Sequence, residues 1–320
     1  MRFAEKLVRW QRRHGRHDLP WQGTTDPYRI WLSEVMLQQT QVGTVIPYYR
    51  RFLGKYPTVQ ALAAASEEEV LELWSGLGYY ARGRNLHKAA RRIASAGFPK
   101  SFEEIQELPG VGRSTAAAIA VFAYGERQAI LDGNVKRVLA RCFLLTDKDR
   151  MWQQAEALLP RRELEGYTQA LMDLGATICT RTNPRCDACP VATICKARKQ
   201  ARIGEFPPPR VRGALPQRET TWLVLRRNGA VLVEQRPAPG IWGGLWCFPE
   251  LAGGRPRGAK ALAPIEHGFT HFRLRIRPLL CDVKTAPQRA GRWLRLEEAA
   301  GAALPAPVKS LLARLRAGEH

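Results

Sequence analysis

Two carboxylates and four thiols carry the chemistry this chain can perform. Glu34 stands in the apolar run Ile30-Trp31-Leu32-Ser33-Glu34-Val35-Met36-Leu37, and its neighbours three and four positions away are Trp31, Leu37, Ile30 and Gln38, with no cation among them. On a helix those are the residues a side chain meets. A carboxyl placed there loses solvation and keeps its proton to higher pH, as a general acid working near neutrality requires. Asp132, in Leu131-Asp132-Gly133-Asn134, is the second carboxylate. It follows by some twenty residues the turn Leu108-Pro109-Gly110-Val111-Gly112. There Gly110 and Gly112 leave backbone N–H groups uncovered at the start of a helix, a geometry suited to one phosphate. A phosphate clamp followed by a carboxylate points to chemistry on DNA.

Seven cysteines are unevenly placed. Cys179, Cys186, Cys189 and Cys195 form a C-x6-C-x2-C-x5-C run, whereas Cys142, Cys247 and Cys281 are scattered. Clustering argues for a metal rather than a disulfide framework. Zinc ribbons present two separated C-x2-C knuckles and this run has one, so the spacing favours an iron-sulfur cluster.

The elements that must position these groups are mostly helical up to about residue 200. Thr25-Asp26-Pro27 supplies a cap and a first-turn proline for a helix over 27–39. Capping boxes at Ser66-Glu67-Glu68-Glu69 and Ser101-Phe102-Glu103-Glu104 start two more, the second a short helix over 102–107 leading into the glycine turn. A helix with Thr115-Ala116-Ala117-Ala118 follows, giving two helices joined by a hairpin. After Gly76-Leu77-Gly78, the sequence Tyr79-Tyr80-Ala81-Arg82-Gly83-Arg84 mixes aromatics with arginines, a composition suited to an aromatic wedge and phosphate contacts.

Beyond Arg202 the pattern changes. Residues 202–219 contain Pro207-Pro208-Pro209 and Pro216 and read as a semi-rigid linker. Thr221 to Arg226 and Ala230 to Gln235 are strand-like, and the intervening Asn228-Gly229 signals a hairpin. Phe272 to Arg277 alternates, with Leu274 and Ile276 on one face and Arg273, Arg275 and Arg277 forming a cationic ladder on the other. Val308, Leu311, Leu312 and Leu315 recur at helical spacing and close the chain with a helix. Two domains follow, 1–201 and 220–320.

The charge favours a polyanionic partner. Lys plus Arg number 50 against 29 Asp plus Glu, a net charge of +21, over 320 residues. Residues 201–320 hold 20 basic and 9 acidic side chains, leaving 30 and 20 before them, so the two parts carry +11 and +10. No signal peptide opens the chain and no run reaches the length of a membrane span, so a cytoplasmic, nucleoid-associated location is expected.

With these residues assembled, the sequence resembles the adenine DNA glycosylases of the MutY type, within the helix-hairpin-helix glycosylase superfamily. The resemblance rests on Leu32 to Thr40, Gly76-Leu77-Gly78-Tyr79-Tyr80, the hairpin with Leu131-Asp132-Gly133-Asn134, the cysteine spacing, and Gly244-Leu245-Trp246-Cys247-Phe248-Pro249. It implies a helical glycosylase domain with an iron-sulfur segment at about 179–195, followed by an α+β Nudix-like domain. The family acts on double-stranded DNA and removes adenine mispaired with 8-oxoguanine or guanine. Glu34 then takes the place of the general acid, Asp132 of the carboxylate that stabilises the oxocarbenium-like sugar, and Asn134 of the residue holding it. Gln39 and Tyr79 match intercalating and wedge positions, and Gly110, Gly112 and Ser114 the DNA-binding hairpin. Trp21 and Gln169 match the adenine pocket. The four clustered cysteines match the ligands of one 4Fe-4S cluster.

Ser114 stands where strand-cutting relatives place an imine-forming lysine, so the resemblance implies a monofunctional enzyme, active as a monomer, that leaves an abasic site. Lys136, four residues after Asp132, allows weak imine trapping. In the second domain no R-E-x-x-E-E run follows Pro249, so no magnesium site for pyrophosphate hydrolysis is expected. Phe269-Thr270-His271 stands at the 8-oxoguanine-reading loop, with Thr where the family usually has Ser. The alternatives are an endonuclease acting on oxidised pyrimidines, a non-catalytic DNA-binding protein, and a nucleotide hydrolase.

Overall fold

The computed structural model describes residues 2–208, 213–287 and 289–318. Packing divides the chain into two compact units, Met1–Ala63 with Lys88–Val211 and Ala64–His87 with Arg212–His320. Each unit is thus discontinuous in sequence, residues 64–87 grouping with the later part of the chain. Part of the expected linker, residues 209–212, lies outside the described residues.

In the first unit, helices Phe3–His14, Pro27–Leu37, Val42–Lys55, Phe102–Gln106, Arg113–Tyr124, Gly133–Phe143, Lys148–Ala157 and Leu164–Asp173 enclose the core. Ala117, Val135, Val138, Leu139, Tyr167, Leu171 and Leu174 are among its buried members. The helix carrying Glu34 begins as expected, because Asp26 caps it by accepting from the Tyr28 N–H at 2.9 Å. It stops at Leu37 rather than 39, since Gln39 turns into the left-handed region at φ 56°. The short helix Phe102–Gln106 has its capping box from Ser101 and Glu104. Gly110, at φ 80°, makes the reversal that delivers helix Arg113–Tyr124. Helix Leu164–Asp173 continues into a single π-helical turn, Leu174–Ile178, which leads to Cys179.

The second unit is built on a sheet that has seven strands among the described residues, β1 Gln217–Arg227, β2 Ala230–Gln235, β3 Trp246–Cys247, β4 Lys260–Ala261, β5 Ile265–Gly268, β6 Arg273–Asp282 and β7 Arg292–Arg295. The order is β3-β2-β1-β6-β4, with β5 also on β6 and β7 on β2. β1 and β2 form an antiparallel pair whose turn residues Asn228 and Gly229 have φ of 48° and 74°, the conformation that favours Asn-Gly. β1 runs parallel to β6 along its whole length, from Gln217↔Arg273 to Arg226↔Asp282. That long pairing is why β1 starts four residues before the expected Thr221.

Leu274 and Ile276 are buried and Arg273, Arg275 and Arg277 exposed, as the alternation requires. The ladder is nevertheless partly neutralised: Arg275 pairs with Glu266 at 3.4 Å and Arg277 with Glu219 at 2.8 Å, because β5 and β1 bring acids alongside. Helix Ala306–Ala317 buries Val308, Leu311, Leu312 and Leu315 as expected. Helix Glu67–Trp74 joins this unit through Leu71, which packs in one core with Trp222, Trp242 and Leu245. Its Glu68 accepts from the Trp246 indole at 2.7 Å, and Ser75 donates to the Leu304 carbonyl at 2.8 Å. Among the described residues no helix is long and apolar enough to cross a membrane.

Candidate active site

Glu34 lines a cavity of about 460 Å³ in the first unit, together with Arg16, His17, Trp21, Ser33, Phe122, Gln169 and other side chains. The sequence-predicted pair Trp21 and Gln169 thus meets Glu34 in one place. Volumes of this order hold small-molecule ligands. The residue is part-buried and lines the cavity. Burial pushes that carboxyl up to about 8, and the nearby charge of Asp132 adds to the shift. A carboxyl so displaced keeps its proton at neutral pH.

Asp132 is held by its own helix. It is the N-cap of Gly133–Phe143 and its Oδ1 accepts from the Val135 N–H at 2.7 Å. Burial raises its pKa, opposed by the backbone N–H groups of Val135 and Asn134 and by the charges of Arg137 and Lys136. The two carboxylates are thus placed differently, one at a cavity of mixed polar and apolar lining and one at a positive helix end. Just before Asp132, the Leu131 N–H donates to the Ser114 hydroxyl at 3.0 Å, so Ser114 fixes the segment that delivers the carboxylate.

Several positioning residues carried no sequence signal. Gln38 donates to the Gly110 carbonyl at 3.1 Å and to the Thr115 hydroxyl at 3.2 Å, tying the end of the Glu34 helix to the glycine hairpin. Arg137 donates to Asn134 Oδ1 at 2.9 Å and to the Cys179 carbonyl at 2.6 Å. Gly175 faces Asn134 so closely that a Cβ there would stand 2.5 Å from the Asn134 Cβ. The loop bearing Trp21 is folded by Gln22, which accepts from the Leu19 N–H and donates to the Arg16 carbonyl. Trp21 packs edge-on against Tyr49 with ring centres 5.4 Å apart.

Cys179, Cys186, Cys189 and Cys195 line one cavity, walled by the apolar side chains of Val138, Leu174, Ile178 and Val191. The buried thiol of Cys142 lines it as well. Four thiols within an apolar sheath are a donor set that fits an iron-sulfur core. Arg141, almost wholly buried, donates to the Phe206 and Thr180 carbonyls at 2.9 and 2.7 Å and approaches Cys179 Sγ at 3.4 Å.

The remaining predicted residues lie at turns. Gln39 is exposed and left-handed immediately after the Glu34 helix. In the second unit, Tyr79 is 46% exposed at φ 49°, following Gly78 at φ 71°. Its loop is anchored where the Trp74 indole donates to the Gly78 carbonyl at 3.0 Å. Non-glycine residues held left-handed are a feature of functional sites. Phe269, Thr270, His271 and Phe272 connect β5 to β6, closed by the Phe269 N–H donating to the Phe272 carbonyl at 2.9 Å. Phe269 stacks on Phe272 at 4.4 Å, whereas Thr270 and His271 are exposed at the tip.

Residues 32–161 match the HhH-GPD superfamily of base excision DNA repair proteins, 179–195 the iron-sulfur binding domain of endonuclease III, and 220–314 the NUDIX domain. A helix-hairpin-helix fold with an acid-bearing cavity and an iron-sulfur segment defines a base excision DNA glycosylase. The chain is 32% identical to the adenine DNA glycosylase of Buchnera aphidicola subsp. Baizongia pistaciae, over 98% of this chain and 97% of that one. It is 34% identical to the adenine DNA glycosylase of Homo sapiens, over 97% of this chain and 73% of that one. The chain belongs to the adenine DNA glycosylase family. Among solved structures, a thermostable thymine-DNA glycosylase superposes with a TM-score of 0.58 at 28% identity, over 62% of this chain and 95% of that one. An endonuclease III–DNA complex, 22% identical, shares the fold at a TM-score of 0.55, over 62% of this chain and 94% of that one.

Proposed function

We propose that this chain is a monofunctional adenine glycosylase that flips adenine out of an adenine:8-oxoguanine or adenine:guanine mispair and hydrolyses its N-glycosidic bond. The observation that carries the reading is Glu34 lining a base-sized cavity with Trp21 and Gln169, its carboxyl pushed up to about 8 by burial and by the nearby charge of Asp132. Glu34 donates its proton to a ring nitrogen of the flipped base, so the C–N bond breaks with its electron pair leaving on a neutral base. Asp132, ionised at the helix N-terminus, faces the positive charge that develops on the sugar. Water then adds to the sugar carbon, and its proton passes to Glu34, restoring the acid and leaving an abasic site. Asn134 holds the Asp132 turn. Trp21 and Gln169 enclose the base.

Gly110 and Gly112, with Ser114 behind them, seat the hairpin on a backbone phosphate. Gln39 and Tyr79 fill the duplex where the base has left, offsetting the few kcal/mol of lost stacking. Phe269, Thr270 and His271 read the opposite base, with the Thr270 hydroxyl as donor. Cys179, Cys186, Cys189 and Cys195 would hold one 4Fe-4S cluster, and ligation by all four would tie down a basic, DNA-facing segment. Among the described residues no three His, Cys, Asp or Glu side chains close on a single ion, and four thiols spread around one cavity suit a larger core. The protein works as a monomer in the cytoplasm, on nucleoid DNA.

Ser114 supports hydrolysis without strand cleavage, since a hydroxyl forms no imine. A single-turnover assay on a duplex with adenine opposite 8-oxoguanine, scored with and without alkali, tests the reading. Breaks only after alkali, absent in Glu34→Gln, are expected. Breaks without alkali would establish a lyase, and tight binding with no breaks would establish a binding protein.

A further inference from the structure

Asp173 is completely buried, yet none of the chemistry above uses it. It closes helix Leu164–Asp173, four residues after Gln169 and therefore on the same face. Its carboxylate accepts three hydrogen bonds: from Arg16 Nε at 2.7 Å and Gln169 Nε2 at 2.9 Å, both to Oδ1, and from the Arg16 backbone N–H at 2.9 Å to Oδ2. Arg16 cannot easily withdraw, because the Gln22 side chain holds its carbonyl at 2.9 Å. A salt-bridged carboxylate only accepts, so the edge of the Gln169 amide that meets it must be the NH₂. Turning that amide over would set two acceptors against each other in a buried place and leave the Gln169 NH₂ without this partner. The Gln169 carbonyl oxygen is then the edge left for the cavity that Gln169 lines with Glu34 and Trp21.

We infer that Asp173, clamped by Arg16, is a positioning residue that locks the Gln169 amide with its carbonyl toward the cavity, and so makes the site selective for a purine bearing an exocyclic amine. The inference rests on the proposed base-excision reading of that cavity. Adenine offers an acceptor at N7 and a donor at its 6-amine on one edge. Protonated Glu34 and the Gln169 carbonyl are a donor and an acceptor in the same cavity, the complement of that edge. Hypoxanthine is nearly the same shape but carries a carbonyl in place of the amine. Against a locked Gln169 it puts acceptor against acceptor.

The test compares single-turnover excision of adenine and of hypoxanthine, each opposite 8-oxoguanine in otherwise identical duplexes, for the native chain, Asp173→Asn, Gln169→Met and the double variant. An asparagine at 173 can offer either edge, which frees the Gln169 amide to turn. The adenine-to-hypoxanthine rate ratio should fall by about tenfold in Asp173→Asn, the order of one hydrogen bond. It should fall similarly in Gln169→Met, with no further fall in the double variant. A merely structural Asp173 would slow both substrates equally and leave the ratio in place, which overturns the inference while the excision reading stands. If Asp173→Asn does not fold, an unchanged ratio in Gln169→Met overturns it alone. A native chain that releases neither base instead removes the excision reading.

Discussion

Asn134 and the peptide carbonyl of Cys179 are bridged by one guanidinium, that of Arg137. Asn134, two residues after the Asp132 cap, and the first of the clustered cysteines therefore share a donor. Burial lowers the Arg137 pKa, and the neighbouring Cys179 opposes that shift. Replacing Arg137 by Gln, which cannot reach both acceptors, should reduce the excision rate by about 10- to 100-fold, as loss of an outer-shell donor at a metal site does. Visible absorbance of the purified variant reports the cluster and the single-turnover rate reports Asn134. A variant normal in both would show that the bridge carries no weight.

The pH–rate profile should be bell-shaped. Glu34 must be protonated, and its carboxyl is pushed up to about 8, so the rate falls as pH rises through that value. Asp132 must be ionised, and burial raises it, so the acid limb should lie above the ordinary carboxylate range. A profile flat between pH 7 and 9 contradicts the assignment of Glu34.

Glu34 should also make the fold pH-sensitive. Its folded pKa lies above its unfolded value of 4.5, so the unfolded chain releases the proton first and stability is lost as pH rises from 4.5 towards 8. At pH 7 the loss is on the order of 3 kcal/mol. Glu34→Gln removes this titration, so the variant should gain melting temperature over native at pH 7 and much less at pH 4.5. Equal gains at both would mean the carboxyl is not displaced.

Two glycines separate close packing from backbone entropy. At Gly175 a Cβ would meet Asn134 Cβ, Cα and carbonyl carbon at 2.5, 3.0 and 3.1 Å, so Gly175→Ala should displace the Asn134 turn, destabilising by about 1–3 kcal/mol and slowing excision. Gly54, exposed within helix Val42–Lys55 with nothing near, should become more favourable as Ala by about 0.5–1 kcal/mol. Chemical denaturation of the pair checks the contrast.

Cys142 lines the same cavity as the clustered cysteines but falls outside their run. Cys142→Ala should keep full iron and sulfide content, whereas Cys186→Ser should lose folded yield and DNA affinity together. Equal loss of iron in both would put a fifth thiol among the ligands.

What was legible in the sequence was local. The helix carrying Glu34 was legible from its Asp26 cap and first-turn proline, the hairpin from its capping box and glycines, and the last helix from the spacing of Val308, Leu311, Leu312 and Leu315. These signals act within a few residues. Arg16 with Asp173, Gln38 with Gly110 and Arg137 with Cys179 are separated by 157, 72 and 42 residues, and no periodicity reports such pairs. Likewise helix Glu67–Trp74 was recognised from its capping box, but its grouping with the sheet unit depends on Leu71, Glu68 and Ser75 meeting residues far along the chain. The partial neutralisation of the cationic ladder escaped the sequence for the same reason, since Glu219 and Glu266 reach it only through strand pairing.

The bond from the Leu131 N–H to the Ser114 hydroxyl sets a limit on how this fold could change its reaction. A lysine at 114 could accept from the N–H that leads into Asp132 only through the amine lone pair, and that is the pair an imine-forming attack must spend. Gaining a nucleophile would loosen the carboxylate. A lineage crossing between the two chemistries would therefore pass through a handicapped intermediate unless a second substitution near Leu131 supplied a new acceptor.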